Sequence, residues 1–257
     1  MTHSPHDIVA RLRRLDACAV SDALDSLGLS RVVSGVPQQS GDGRIAGRAV
    51  TVKLGQGAVP AGPPRHLGTA AVEASGPDNV IVIEQRSGIE AGSWGGLLTL
   101  GASLRGVAGA VCDGPVRDID EARALGFPVF ARTLTAKTAR GRIVELGTNV
   151  PVTFETISVA PGDYVVADKS AIIFIASADI ARVLEKAETI VAKEAAMADA
   201  LRAGQPIGQV MAANYEHMLA PPTPNPSAPR GEELEGSPPP RGEVASAIAQ
   251  ADGGQDR

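Results

Sequence analysis

Aromatic residues are scarce in this chain, at 3% of its 257 residues, and the four Phe, two Tyr and single Trp are scattered along it. That scarcity argues against the ring platforms on which single-stranded nucleic acids stack. The formal net charge is −5, and basic residues are interspersed with acidic ones rather than clustered, so the electrostatic footprint of a nucleic-acid binder is missing. The two cysteines, Cys18 and Cys112, are too few for a disulfide framework. Both lie in apolar, core-like contexts, and a reduced, cytoplasmic protein is expected. No apolar run approaches membrane-spanning length. The first residues, MTHSPHDIVARLRRL, lack the apolar stretch of a signal peptide. The four histidines, His3, His6, His66 and His217, form no spaced cluster, which speaks against a histidine-based zinc site.

Residues 220–257 hold eight of the 19 prolines and no aromatic residue. Such a composition cannot bury enough apolar surface to offset its ordering entropy, so this segment is expected to be a disordered Pro/Gly-rich tail. What remains, residues 7–205, is about 200 residues long, enough for one domain with a full core.

Within that domain, apolar spacing predicts helices over 7–15 and 20–27, the second stopped by Gly28. RIAGRAVTVKL (44–54) reads as a strand, 55–64 as a Gly/Pro-rich loop, 66–74 as a helix and NVIVIE (79–84) as a buried strand. Ser93 is a candidate cap for a helix from Trp94 to about Arg105. A strand over 107–112, ended by Asp113-Gly114, then leads to a helix over 117–125 closed by Gly126 and a short strand over 128–130. This alternation implies parallel pairing in an α/β arrangement. Strands are expected again over 152–159, 164–166 and 171–175, followed by a long helix over 178–203 with Ser177 as its cap and Gly204 as its stop.

Two features could carry chemistry. Gly95-Gly96 opens a helix that would do better without glycine, and exposed amides at a glycine-opened helix start bind anions. Arg117-Asp118 follows a strand at the carboxyl edge of a parallel segment, where ligands of open α/β sheets bind. Arginine holds carboxylates in a two-pronged geometry, and a lone carboxylate with open positions suits hydrated Mg²⁺ or Mn²⁺. Taken singly, each has a plain structural explanation: close packing for the glycines, a solvated first helical turn for the aspartate. They gain weight together, because successive strand–helix units place both helix starts on one sheet edge. Asp113 could support Arg117 or make a turn. Glu84, Arg86 and Glu90 could line the mouth of the same site. Glu185, Glu188 and Glu194 read as a solvated helix face.

AVSDALDSLG, GRAVTVKL, WGGLLTLGASLRGVAGAVCDGPVRDIDEARALGFPVFAR and PGDYVVADKSAIIFI together resemble the RraA-like family over about residues 15–204. That family contains 4-hydroxy-4-methyl-2-oxoglutarate aldolases that also decarboxylate oxaloacetate, and regulators of ribonuclease E. The resemblance implies a swivelling β/β/α domain, an αββα sandwich, assembled as homotrimers or hexamers with sites between subunits. It implies a substrate-binding loop at Gly95, Gly96, Leu97 and Leu98, a catalytic, substrate-binding arginine at Arg117 and a catalytic, metal-ligating aspartate at Asp118. The expected cofactor is Mg²⁺ or Mn²⁺, and the expected partner a small 2-oxo acid, with no nucleic acid and no membrane. One departure stands out: aldolase members commonly carry an acid just after the first loop glycine, where this chain has Gly96. Glu84, Glu90 or an acid from another subunit could substitute for it. The alternative function is a non-enzymatic regulator of a ribonuclease or helicase. A methyltransferase is disfavoured, since no glycine-rich nucleotide loop follows the first strand.

Overall fold

A computed structural model describes residues 4–58 and 65–211 of the chain. The tail expected over 220–257 lies outside the described residues, as does part of the loop expected over 55–64. The described residues belong to one compact unit.

The chain opens with two helices, α1 (Pro5–Leu12) and α2 (Ala17–Ser26), and two short strands, β1 (Val32–Val33) and β2 (Gln38–Ser40). The central alternation follows as β3 (Ile45–Gly55), α3 (Thr69–Ala74), β4 (Asn79–Gln85), α4 (Gly96–Leu104), β5 (Gly109–Val116), α5 (Ile119–Ala124) and β6 (Val129–Leu134). Five strands come next: β7 (Val144–Thr148), β8 (Val152–Phe154), β9 (Ile157–Val159), β10 (Tyr164–Ala167) and β11 (Ile172–Ile175). The long helix α6 (Ile180–Arg202) and the short α7 (Ile207–Val210) complete the described fold.

Nine strands form one sheet in the order β1-β11-β10-β3-β4-β5-β6-β2, with β7 also pairing with β3. The β3-β4, β4-β5 and β5-β6 pairs are parallel, as the strand–helix alternation requires, and the flanking pairs are antiparallel. Side chains of a strand alternate between faces, and the core divides accordingly. Val50, Val52, Ile81, Ile83, Ala110 and Cys112 pack under the crossover helices α3, α4 and α5. On the antiparallel half, Ala46, Tyr164, Val166, Ile173 and Ile175 pack under α1, α2 and α6. The opposite parity, Val80, Val82, Val111, Val165 and Phe174, meets the β8-β9 hairpin. The layers are therefore helices, main sheet and hairpin, a mixed α/β single domain of β/β/α type.

Several boundaries differ from expectation for local reasons. Asp113-Gly114 does not end β5; the strand continues to Val116 through a register shift between Cys112 and Pro115. Asp16 caps α2 through the Ala19 amide, starting that helix earlier than its apolar spacing suggested. Ser177 does not cap α6; its amide donates to the buried Asp163. The segment 152–159 is two strands, because Glu155 adopts a left-handed φ of 55° and turns the chain. Cys18 is exposed, contrary to its apolar setting in the sequence, while Cys112 is buried. No described helix is long and apolar enough to cross a membrane.

Candidate functional site

Crossovers between adjacent parallel strands put the starts of α4 and α5 side by side above the carboxyl ends of β4 and β5. The two connections are stitched together by backbone bonds. Ser93 donates its amide to the Pro115 carbonyl at 2.8 Å, and Arg117 donates to the Trp94 carbonyl at 3.0 Å. The side chain of Ser93 also donates to Pro115 rather than capping the helix. The one tryptophan anchors the loop from below. Trp94 is buried, stacks on Phe127 and donates its indole N–H to Thr99 Oγ1 at 2.8 Å.

The cap of α4 is Gly95, and no side chain of its own segment satisfies the helix start. Asp118 does so from the neighbouring connection: the Gly96 amide donates to Asp118 Oδ2 at 3.0 Å. The amides of Leu97 and Leu98 lie in the same first turn, where no intrahelical acceptor exists. Asp118 is held for this contact in the left-handed region, φ 56° and ψ 37°, at the cap of α5. Aspartate is among the few residues that tolerate it. The glycines are needed for the approach. A Cβ on Gly95 would stand 2.8 Å from Asp118 Oδ2, and one on Gly96 only 1.6 Å from Glu121 Oε2.

Arg117 and Asp118 are each about one-third exposed, and Arg117 Nε donates to Asp118 Oδ1 at 3.2 Å. That leaves the two Nη groups of Arg117 without a hydrogen-bond acceptor among the described residues. The pair faces an open depression of about 250 Å³, walled by Val116, Ile119, Leu134 and Thr135. The space suits a molecule of a few carbon atoms, with the Arg117 guanidinium and the Asp118 carboxylate in its wall and the first-turn amides of α4 on the other side of Asp118.

Of the sequence candidates, Gly95, Gly96, Arg117 and Asp118 come together here. Leu97 stands 84% exposed next to them, whereas the Leu98 side chain is buried in the core, so only its amide is available to the site. Glu90 lies at the rim. It pairs with Lys137 and accepts from Thr135 Oγ1 at 2.8 Å, and these contacts, the lysine first, hold its carboxyl below the usual range. Glu84, Arg86 and Asp113 do not belong. Glu84 and Asp113 have the parity of Val82 and Val111 and face the hairpin. Glu84 accepts from the Thr153 amide at 2.6 Å and lies 3.6 Å from Lys53 Nζ. Asp113, nearly fully buried, accepts from Arg132 Nε at 2.9 Å and the Glu155 amide at 2.6 Å, with Arg86 at 3.5 Å. Together they anchor the hairpin to the sheet and leave Arg117 untouched. On α6, Glu188 is not simply solvated but makes a two-pronged pair with Arg11 of α1, at 2.7 and 2.6 Å. The residue that sequence reasoning missed is Glu121, whose contact with Gly96 crosses between two helix starts.

Among the described residues no group of three or more His, Cys, Asp or Glu could enclose a metal ion. The donor set at Asp118 fits a different type of site. Magnesium is commonly held by one or two carboxylates and completes its shell with water and ligand oxygens. Asp118 keeps lone pairs free on both oxygens, beside a space that can hold water.

This arrangement of sheet, crossovers and loop is shared with known proteins. A family model described as "RraA-like: Aldolase/RraA" matches residues 17–174, and the chain belongs to that family. Among curated relatives, a protein provisionally named 4-hydroxy-4-methyl-2-oxoglutarate aldolase from Halalkalibacterium halodurans is 31% identical over 194 residues, covering 73% of this chain and 85% of its own. Uncharacterized protein MJ0644 of Methanocaldococcus jannaschii is 32% identical over 171 residues, 65% of this chain and 77% of its own. Among solved structures, an uncharacterized protein from Pseudomonas syringae pv. tomato aligns with TM-score 0.71 and 27% identity over 82% of this chain and 99% of its own. Streptomyces coelicolor RraAS2, described as an unusual member of the RNase ES inhibitor RraA family, aligns with TM-score 0.63 and 24% identity over 76% of this chain and 96% of its own, a likeness of fold.

Proposed function

We propose that this protein is a divalent-metal-dependent carbon–carbon lyase that cleaves a 4-hydroxy-2-oxo acid, or decarboxylates oxaloacetate, to give pyruvate. The observation that carries this reading is the pairing of Arg117 and Asp118 on the wall of one small open depression, with the Gly96 amide orienting Asp118 from behind. The name of the Halalkalibacterium relative supports an aldolase of 2-oxo acids.

In this account the free Nη groups of Arg117 and the first-turn amides of α4 bind and orient the substrate carboxylate. Asp118, its orientation fixed by the Gly96 amide and Arg117 Nε, would hold Mg²⁺ or Mn²⁺. The chemistry such a cation would supply is that of a Lewis acid toward developing negative charge on the substrate oxygen. Val116, Ile119 and Leu134 exclude water from one side of the substrate. Retro-aldol cleavage and β-decarboxylation develop the same negative charge on a three-carbon fragment, so one set of residues serves both.

The assembly proposed is a homotrimer or hexamer. Leu97, Leu100 and Leu104 form a stripe on α4 beside the site, 84%, 41% and 80% exposed. An apolar stripe of this kind marks a protein contact, and light scattering on the purified chain reads the stoichiometry.

The test is pyruvate release from oxaloacetate and a panel of 4-hydroxy-2-oxo acids, with Mg²⁺ and then with EDTA. Turnover that requires the cation is expected. No cation-dependent turnover on any member would favour the non-enzymatic regulator instead.

A further inference from the structure

Glu121 is the one acid at this site whose carboxylate has no hydrogen-bond or salt-bridge partner among the described residues. Its neighbour Asp120 turns away to pair with Arg123 at 3.1 Å. The backbone fixes Glu121 next to Asp118, for its amide donates to the Asp118 carbonyl at 3.2 Å, closing the first turn of α5. Its side chain then reaches across to α4. Glu121 Oε2 lies where the side chain of residue 96 would begin, 1.6 Å from the position of a Cβ there. Gly96 has an ordinary negative φ, so conformation does not demand glycine at that position. What its lack of a side chain provides is room for an acid delivered from the neighbouring helix.

We propose that Glu121 supplies the second carboxylate of this site, directed at the same divalent cation as Asp118, directly or through a bound water. The inference rests on the lyase reading for the cation's role, but its own content is the position of a charge. Both carboxylates reach Gly96, Asp118 Oδ2 at its amide and Glu121 Oε2 at its Cβ position, and like charges brought to one residue repel each other without a cation. Together they would supply the one-or-two-carboxylate set that a hydrated Mg²⁺ or Mn²⁺ takes. A side chain at 96 and the side chain of Glu121 would compete for one volume, so the two positions are exchangeable sources of the same acid. Glu121 is thus a positioning residue, acting on substrate through the cation and its water.

The experiment is Mn²⁺ binding to the full chain, read by electron paramagnetic resonance of the free ion, alongside pyruvate release with Mg²⁺. The variants are Glu121→Gln, Glu121→Ala and the exchange pair Gly96→Asp with Glu121→Ala. Circular dichroism checks that each is folded. Mn²⁺ binding is expected to weaken about tenfold or more in both single variants. Most of that loss is expected to return in the exchange pair, which a merely structural glutamate would not allow. Wild-type Mn²⁺ affinity in Glu121→Ala overturns the proposal, as does an exchange pair no better than Glu121→Ala. If the wild type binds Mn²⁺ with this Glu121 dependence but cleaves none of the acids, the carboxylate assignment stands and the lyase reading falls. If the wild type binds no Mn²⁺, both fall.

Discussion

Replacing Asp118 by alanine and by asparagine separates its two roles, because the structure asks different things of its backbone and of its charge. Alanine in the left-handed region costs about 1 kcal/mol or more relative to a residue that tolerates it. It also removes the carboxylate that accepts the Gly96 amide at 3.0 Å. A hydrogen bond to a charged group contributes about 1.5–3 kcal/mol, and the lower end applies because the carboxylate is 33% exposed. The paired charge of Arg117 adds little at that exposure. The sum is about 2–3 kcal/mol, which in a domain of this size lowers the melting temperature by roughly 5–10 °C. Asparagine keeps an oxygen for the Gly96 amide and tolerates the left-handed backbone, so its loss is below about 1 kcal/mol. Both variants lose the anionic ligand. Calorimetric melts in EDTA, followed by Mn²⁺ titration, give the comparison. The expected pattern is a destabilised alanine variant and a near-native asparagine variant, with Mn²⁺ binding lost in both. An alanine variant that melts with the wild type would show that Asp118 does not tie the two loops together. An asparagine variant that still binds Mn²⁺ would refute the cation assignment.

Asp113→Ala removes the carboxylate facing Arg86 and the Glu155 amide and leaves Arg132 only its pair with Glu155, at a cost of about 2–3 kcal/mol. Faster hydrogen exchange in residues 152–159, with Mn²⁺ affinity unchanged, is the expected result, and loss of Mn²⁺ binding without loss of stability would contradict the assignment of Asp113 to the hairpin. Burial pushes the Cys112 thiol up to about 12, so a thiol reagent at neutral pH should modify the exposed Cys18 and spare Cys112 until the protein unfolds. Burial first, then the neighbouring Asp25 and Asp16, raises the Asp22 carboxyl. A carboxyl raised in the folded state opposes folding when ionised, so stability should gain as pH falls through its folded pKa. Asp22→Asn should accordingly raise the melting temperature at pH 7 and flatten that part of the pH profile.

The parallel core was legible because its strands are continuous apolar runs and its crossovers end in glycines such as Gly126. The meeting of Gly95-Gly96 with Arg117-Asp118 was legible for the same reason, since consecutive crossovers leave little freedom in where helix starts fall. What escaped depended on contacts between segments. β1, β2 and β7 are short, partly exposed strands whose pairing comes from distant partners, so periodicity carries no signal for them. Alternation along NVIVIE and AVCD already puts Glu84 and Asp113 on one face; which layer covers that face became clear only with the hairpin in place. Glu121 could not be found by spacing within one helix, because its neighbour is Gly96, 25 positions earlier and across a loop.

The central claim is that a cation at Asp118 and a carboxylate clamp at Arg117 serve one bound 2-oxo acid. Linked binding tests it most directly. Oxalate, a planar dianion that mimics the chelating end of a 2-oxo acid, is titrated calorimetrically into the protein with Mg²⁺ and with EDTA, in the wild type and in Arg117→Ala. Binding that requires Mg²⁺ and weakens at least tenfold in Arg117→Ala is the predicted result. Equal affinity with and without Mg²⁺, or an Arg117→Ala variant that binds as the wild type does, would contradict it.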